Sequence, residues 1–84
     1  MQIAYTKHAL RKREILKELG WDLSLNQLEE AVKAPDFEGK TNQGQRAVLK
    51  HLDDRYSLRV VYEIRGDIIS VITFYVARKG RYEK

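Results

Sequence analysis

The stretch from Leu58 to Tyr75 constrains the fold most. It reads Leu-Arg-Val-Val-Tyr-Glu-Ile, then Arg-Gly-Asp, then Ile-Ile-Ser-Val-Ile-Thr-Phe-Tyr. Two runs of β-branched and aromatic residues around a glycine-centred break are the signal for a β-hairpin. A two-residue loop at Arg65-Gly66 or at Gly66-Asp67 gives the same facing. Because side chains alternate along a strand, Leu58, Val60, Tyr62 and Ile64 are expected to share a core-facing side with Ile69, Val71, Thr73 and Tyr75. The other side would carry Arg59, Val61, Glu63 and Arg65 beside Ile68, Ser70, Ile72 and Phe74. A basic tail with an aromatic residue follows: Arg78, Lys79, Arg81, Tyr82.

A hairpin needs a layer to cover it, and the first half of the chain supplies helices. Gln2 to Tyr5 alternates as a short strand would, and Thr6 is suited to cap a helix from Lys7 to about Leu19. On that helix His8, Lys12, Ile15 and Leu19 form a stripe beside Leu16, and Gly20 closes it. The lone Trp21 is expected to pack against the helix end. Ser24 and Gln27 have capping-box spacing. Leu25, Leu28, Ala31 and Val32 then repeat at helical intervals until Pro35. The short connection predicts a helical hairpin. Asp36 to Gln45 has loop composition. Arg46 to Leu52 reads as a strand with Val48 and Leu52 inward and Ala47 and Leu49 on the other side. Asp53-Asp54-Arg55 is the turn into the Leu58 strand. The predicted order is β-α-α-β-β-β. The predicted class is α+β, a two-layer sandwich with the helical hairpin packed on an antiparallel sheet.

With 84 residues the chain has room for one core, so residues 1–84 form a single domain. No cysteine is present, which excludes disulfides and thiolate metal sites and points to a reducing cytoplasm. No apolar run approaches the roughly 20 residues of a membrane span, and the first residues lack a signal-peptide core. Charge is unevenly placed. Residues 1–20 hold five Lys/Arg against two acids, residues 21–45 two against five, and residues 46–84 nine against five. Basic ends around an acidic middle suit a polyanion facing one side of the molecule, although a solvated Lys/Arg surface gives the same totals.

The two histidines, His8 and His51, have no acid at a metal-ligand spacing, so no metal and no cofactor is expected. Ser57 and Ser70 lack a nucleophile signature, and no phosphate-cradling glycine motif occurs. Metal-independent RNA cleavage needs less: a base for the 2′-hydroxyl, an acid for the leaving 5′-oxygen and cations for the phosphorane. Arginine suits the phosphorane because its fork pairs with two phosphate oxygens and stays charged. Arg59 sits mid-strand, with an ion pair to Glu63 as its plain structural alternative. Tyr82 could act as a catalyst only with its pKa lowered by nearby arginines. His8, at a helix start, has a suitable intrinsic pKa; its alternative is a hydrogen bond to a backbone carbonyl. His51 has no distinguishing context.

Several segments together have a familiar pattern: Tyr5-Thr-Lys-His-Ala9 with Arg13, Ala34-Pro35, Leu58-Arg-Val-Val-Tyr62, Val71-Ile-Thr-Phe-Tyr75 and Gly80-Arg-Tyr82. They resemble a family of small bacterial and archaeal domains with the pattern T-x-H-A-x-x-R … P … R-V-V-Y … V-I-T-x-Y … R-Y. That family is similar to the RelE/ParE toxin superfamily. The resemblance implies the toxin of a type II toxin–antitoxin pair, acting as an mRNA endoribonuclease or a gyrase poison, with a cognate antitoxin as partner. It implies catalytic roles for Arg59, for Arg78 or Arg81 as the phosphate-holding arginine, and for Tyr82, while His8 is a candidate proton carrier on its intrinsic pKa alone. Lys7, Arg11, Lys12, Arg13, Arg78 and Lys79 would contact RNA, including ribosome-bound mRNA. A non-catalytic nucleic-acid- or protein-binding module on the same fold is the alternative, and a sheet-edge homodimer is a third arrangement.

Overall fold

The computed structural model describes residues 2–80. Seven elements follow in order: β1 (Gln2–Tyr5), α1 (Lys7–Glu18), α2 (Leu25–Lys33), β2 (Phe37–Lys40), β3 (Arg46–His51), β4 (Tyr56–Arg65) and β5 (Ile68–Arg78). The strands form one sheet in the order β1-β5-β4-β3-β2. The domain is therefore α+β, with two helices packed on a five-stranded mixed sheet. β2 to β5 are a continuous antiparallel meander, and β1 joins the far edge parallel to β5.

Local chemistry accounts for the element ends. The Thr6 hydroxyl accepts from the Ala9 amide and caps α1. Gly20, at φ 98°, takes the left-handed conformation that an L side chain resists. It allows Gly20 N–H to donate to the Lys17 carbonyl at 3.0 Å and Trp21 N–H to the Leu16 carbonyl at 2.8 Å, a Schellman closure. Ser24 and Gln27 form the expected reciprocal capping box. In the hairpin turn Gly66 has φ 63° and Asp67 a negative φ, the pattern of a type II′ turn, with Arg65 opposite Ile68. The Asp53 carboxylate accepts from the amides of Arg55 and Tyr56, fixing the turn into β4.

Four expectations are corrected. The stretch from Asp36 to Gln45 is only partly loop, since Phe37–Lys40 pairs with β3 as a short edge strand. Thr41 ties off the remaining five residues: its N–H donates to the Gln45 carbonyl, and its hydroxyl accepts from the Gln43 and Gln45 amides. The chain thus has four strands after the helices, and the sheet is mixed rather than antiparallel. The covered side of α1 is set by Ala9 and Leu16, whereas Ile15 and Leu19 are exposed. The helices also divide the sheet between them, α1 over β5 and β1 and α2 over β4 and β3.

The fourth correction concerns facing. Val61 pairs with Thr73, but Tyr62 pairs with Val71, so Ile72 is an extra residue in β5. A bulge of this kind moves every later side chain to the other side of the sheet. Phe74 and Val76 therefore join the core with Leu58 and Val60, while Thr73 and Tyr75 turn to the side of Val61 and Arg59. The bulge is anchored by Thr6, whose hydroxyl donates to the Ile72 carbonyl at 2.9 Å while its N–H donates to the Val71 carbonyl. One residue caps the helix and holds the irregular strand.

The core lies between helices and sheet. Leu28, Leu58, Val60, Val71 and Phe74 are withdrawn from solvent almost completely, each contributing about 1.5–3 kcal/mol of transfer free energy. Trp21 packs on its margin and meets Tyr56 edge-on at 5.1 Å.

Candidate functional site

The side of the sheet away from the helices holds the candidate site. One row crosses four strands: Phe37 on β2 opposes Leu49 on β3, which opposes Arg59 on β4, which opposes Tyr75 on β5. The next row along β3 to β5 is His51, Ser57 and Ala77. Leu49, Val61, Ala47, Ser57 and Ala77 are buried, although neither α1 nor α2 lies over this side. Small and apolar side chains form its floor, and longer polar and aromatic ones rise between them.

Arg59 is half-buried at the centre. Its guanidinium carbon stands 5.6 Å from the Tyr75 ring centre, and its Nη1 donates to the Tyr75 hydroxyl. The expected alternative partner, Glu63, pairs instead with Arg65 at 3.1 Å and accepts from Gln45 at 3.3 Å. The bond from Gln45, then that from Arg65, holds the Glu63 carboxyl below the usual range. Arg59, Phe37, Gly39, Lys40 and Leu49 help line a shallow groove of about 190 Å³. That volume is below the 300–1,000 Å³ typical of sites that enclose a small molecule. An extended chain lying across the sheet suits it better.

His51 lies one row further along, outside the lining of that groove. Its Nδ1 is 2.9 Å from the Ser57 hydroxyl, and its ring meets Phe37 edge-on at 5.8 Å. The backbone N–H of His51 donates to Asp36 Oδ2 at 2.8 Å. That bond is the main reason the Asp36 carboxyl lies below its ordinary value; the charges of Lys50, His51 and Lys79 add to it, against some desolvation.

The other sequence-derived residues are spread more widely. Lys79 lies just beyond β5, close enough for its charge to be felt at Asp36. Arg78 opposes Tyr56, whose ring meets Trp21, so it leaves β5 on the helix side. The expected grouping of Arg78 with Arg59 does not form. His8 is exposed, with Nε2 3.2 Å from the Thr73 hydroxyl, at the β5 edge next to the Arg59–Tyr75 row. It bonds a hydroxyl rather than a backbone carbonyl. Lys7 and Arg11 are exposed on α1, and His8, Arg11 and Lys12 line one hollow with Ile15. Arg13 is a structural residue: its Nε donates to the Leu23 carbonyl at 2.7 Å and ties α1 to the approach of α2. Arg81 and Tyr82 lie outside the described residues.

Sequence reasoning missed Tyr75, His51 and Phe37 as members of this site. Strand alternation from Leu49 does lead to His51, but the bulge that turns Tyr75 outward has no local sequence signature. Among the described residues no group of three or more His, Cys, Asp or Glu could hold a metal ion, and no helix is long and apolar enough to cross a membrane.

Fold and site define an α+β domain with an arginine on the side of its sheet away from the two helices. Comparison of the chain with family models, curated proteins and solved structures finds no match.

Proposed function

We propose that the chain is a RelE-like toxin of a type II toxin–antitoxin pair, acting in the cytoplasm as a metal-independent mRNA endoribonuclease. The observation that carries this reading is Arg59, fixed mid-strand on the side of the sheet away from the helices and braced by Tyr75. A guanidinium held in this way offers a forked, permanently charged partner to a phosphate as it gains a fifth oxygen. Phe37, Tyr75 and His51 surround it with rings on which bases can stack. The additional strand β2 departs from the expected order, but it adds to the sheet edge and leaves β3 to β5 in the expected arrangement.

Lys79 near this side, and Lys7, Arg11, Lys12 and His8 along α1, are the proposed further contacts to the RNA backbone. The proposed protein partner is a cognate antitoxin that covers the Arg59 side and blocks it.

The test is induced expression in a bacterial host, scored for growth and mRNA integrity, with wild type and Arg59→Ala compared. Growth arrest with cleaved mRNA, abolished by a folded Arg59→Ala protein, is the expected result. Saturable, salt-sensitive RNA binding without any product would show a binding module instead.

A further inference from the structure

We infer that the free edge of β2 is a self-association surface, on which β2 of a second copy adds antiparallel about a two-fold axis at Gly39. This stands apart from the nuclease reading and does not depend on it. β2 ends the sheet, and all four of its residues are exposed. The helices pack mainly over the other strands, α1 on β5 and β1 and α2 on β4 and β3. Hydrogen bonds at the strand ends fix which backbone groups point outward. Thr41 N–H donates to the Gln45 carbonyl, toward β3. Backbone groups alternate in direction along an antiparallel ladder, so Gly39 also bonds toward β3. The bond from Leu52 N–H to the Tyr56 carbonyl sets the same alternation from the other side of β3. The N–H and C=O of Glu38 and Lys40 therefore point to the free edge, where no described strand meets them. Such a row is a template for another strand.

Charge chooses the occupant and the register. Facing the outward groups of two copies allows Glu38 to oppose Glu38, Lys40 to oppose Lys40, or Glu38 to oppose Lys40 twice. Opposite charges directly across a strand pair attract and like charges repel, which selects the third arrangement, centred on Gly39. Charges on an edge usually deter pairing. A glutamate and a lysine two residues apart deter these self-pairings except one. Within its own copy Lys40 opposes Arg46, a like-charge pair that Glu38 of the second copy offsets. Among the described residues neither Glu38 nor Lys40 has an ion-pair partner. Phe37, 37% exposed, gains cover opposite Thr41 of the second copy. The axis is perpendicular to the sheet, so the helices of both copies lie on one side and both Arg59 residues on the other. The paired strands are short, which makes the dimer reversible rather than permanent.

The test is sedimentation equilibrium of the full chain over a range of concentrations. Wild type is compared with Glu38→Lys, with Lys40→Glu and with the protein carrying both changes, and circular dichroism reports the fold of each. The expected result is a wild-type dimer whose Kd rises about tenfold or more with either single reversal. The double exchange restores it, because lysine and glutamate oppose each other again. The chain has no cysteine, so Gly39→Cys gives a second reading. A Cβ at residue 39 meets no atom within 4 Å, and its φ is not positive, so the variant folds. Across the axis the two Cα atoms stand about 4.5 Å apart, within disulfide reach, and mild oxidation is expected to link the copies. Wild type that stays monomeric at every concentration would overturn the inference and leave the edge to a strand of another protein. A dimer indifferent to the single reversals, or one that the double exchange fails to restore, would overturn it by placing the contact elsewhere. A folded Gly39→Cys protein that does not link would overturn the axis at Gly39.

Discussion

Arg59 and Tyr75 are direct partners across β4 and β5, and the tyrosine both lies beneath the guanidinium and accepts a hydrogen bond from it. Each contact restricts the arginine further, so the cation is placed before any ligand arrives. Pre-placed charge is what phosphate transition states reward, since no reorganisation is needed as the phosphorane forms.

Replacing Arg59 should therefore cost activity far more than stability. Arg59→Ala is expected to lower mRNA cleavage by about 10²–10³-fold. Arg59→Lys should not restore it, because an ammonium lacks the planar fork. Product gels over time, alongside thermal unfolding of each protein, make the comparison. Cleavage by Arg59→Ala at the wild-type rate would remove the arginine from the mechanism.

The bulge at Ile72 predicts opposite fates for adjacent aromatic residues. Phe74 is fully buried among Leu58, Val60 and Val71, whereas Tyr75 is half-exposed. Phe74→Ala should destabilise the domain by about 3–5 kcal/mol. Tyr75→Ala should cost less stability and more activity. Urea unfolding at neutral pH gives both values, and simple alternation from Leu58 would reverse their order.

Arg13 looks like a nucleic-acid contact in the sequence and is a tether in the structure. Its charged hydrogen bond to the Leu23 carbonyl is the type worth about 1.5–3 kcal/mol. Arg13→Ala should lower stability by that order and leave the salt dependence of RNA binding unchanged, whereas losing a phosphate contact reduces the slope by about one. Titrations at several salt concentrations distinguish the two.

Asp36 sets an acid limit. Its carboxyl lies below its ordinary value, chiefly through the His51 amide. A group whose folded pKa is depressed stabilises fully above its unfolded value of about 3.9, and that contribution is lost as pH falls through the folded one. Asp36→Ala should therefore be less stable than wild type at neutral pH, and the gap should close in strong acid. Urea midpoints at about pH 7 and about pH 3 test the sign.

Much of this architecture was legible in the sequence because it depends on short-range chemistry. Thr6, Gly20, the Ser24–Gln27 pair and the Asp53 turn act within a few residues of themselves, and each marks an element end where expected. Strand β2 was hidden because Phe37-Glu-Gly-Lys has a single apolar residue and a glycine. Only its pairing with β3 makes it a strand. The candidate site was half legible. Arg59 faces where alternation from Val60 puts it, but the companion tyrosine depends on the inserted Ile72 and on Thr6, 66 residues away. A contact of that range leaves no trace in local composition.

The inserted Ile72 also makes the length of β5 part of its meaning. Deleting that single residue would leave Val71, Thr73, Phe74 and Tyr75 in regular alternation opposite Tyr62, Val61, Val60 and Arg59, with every later side chain still on its present side. Straightening the strand with Ile72 still in place is what would exchange the tyrosine under the arginine for the phenylalanine of the interior, so the Thr6 anchor on the Ile72 carbonyl guards both at once.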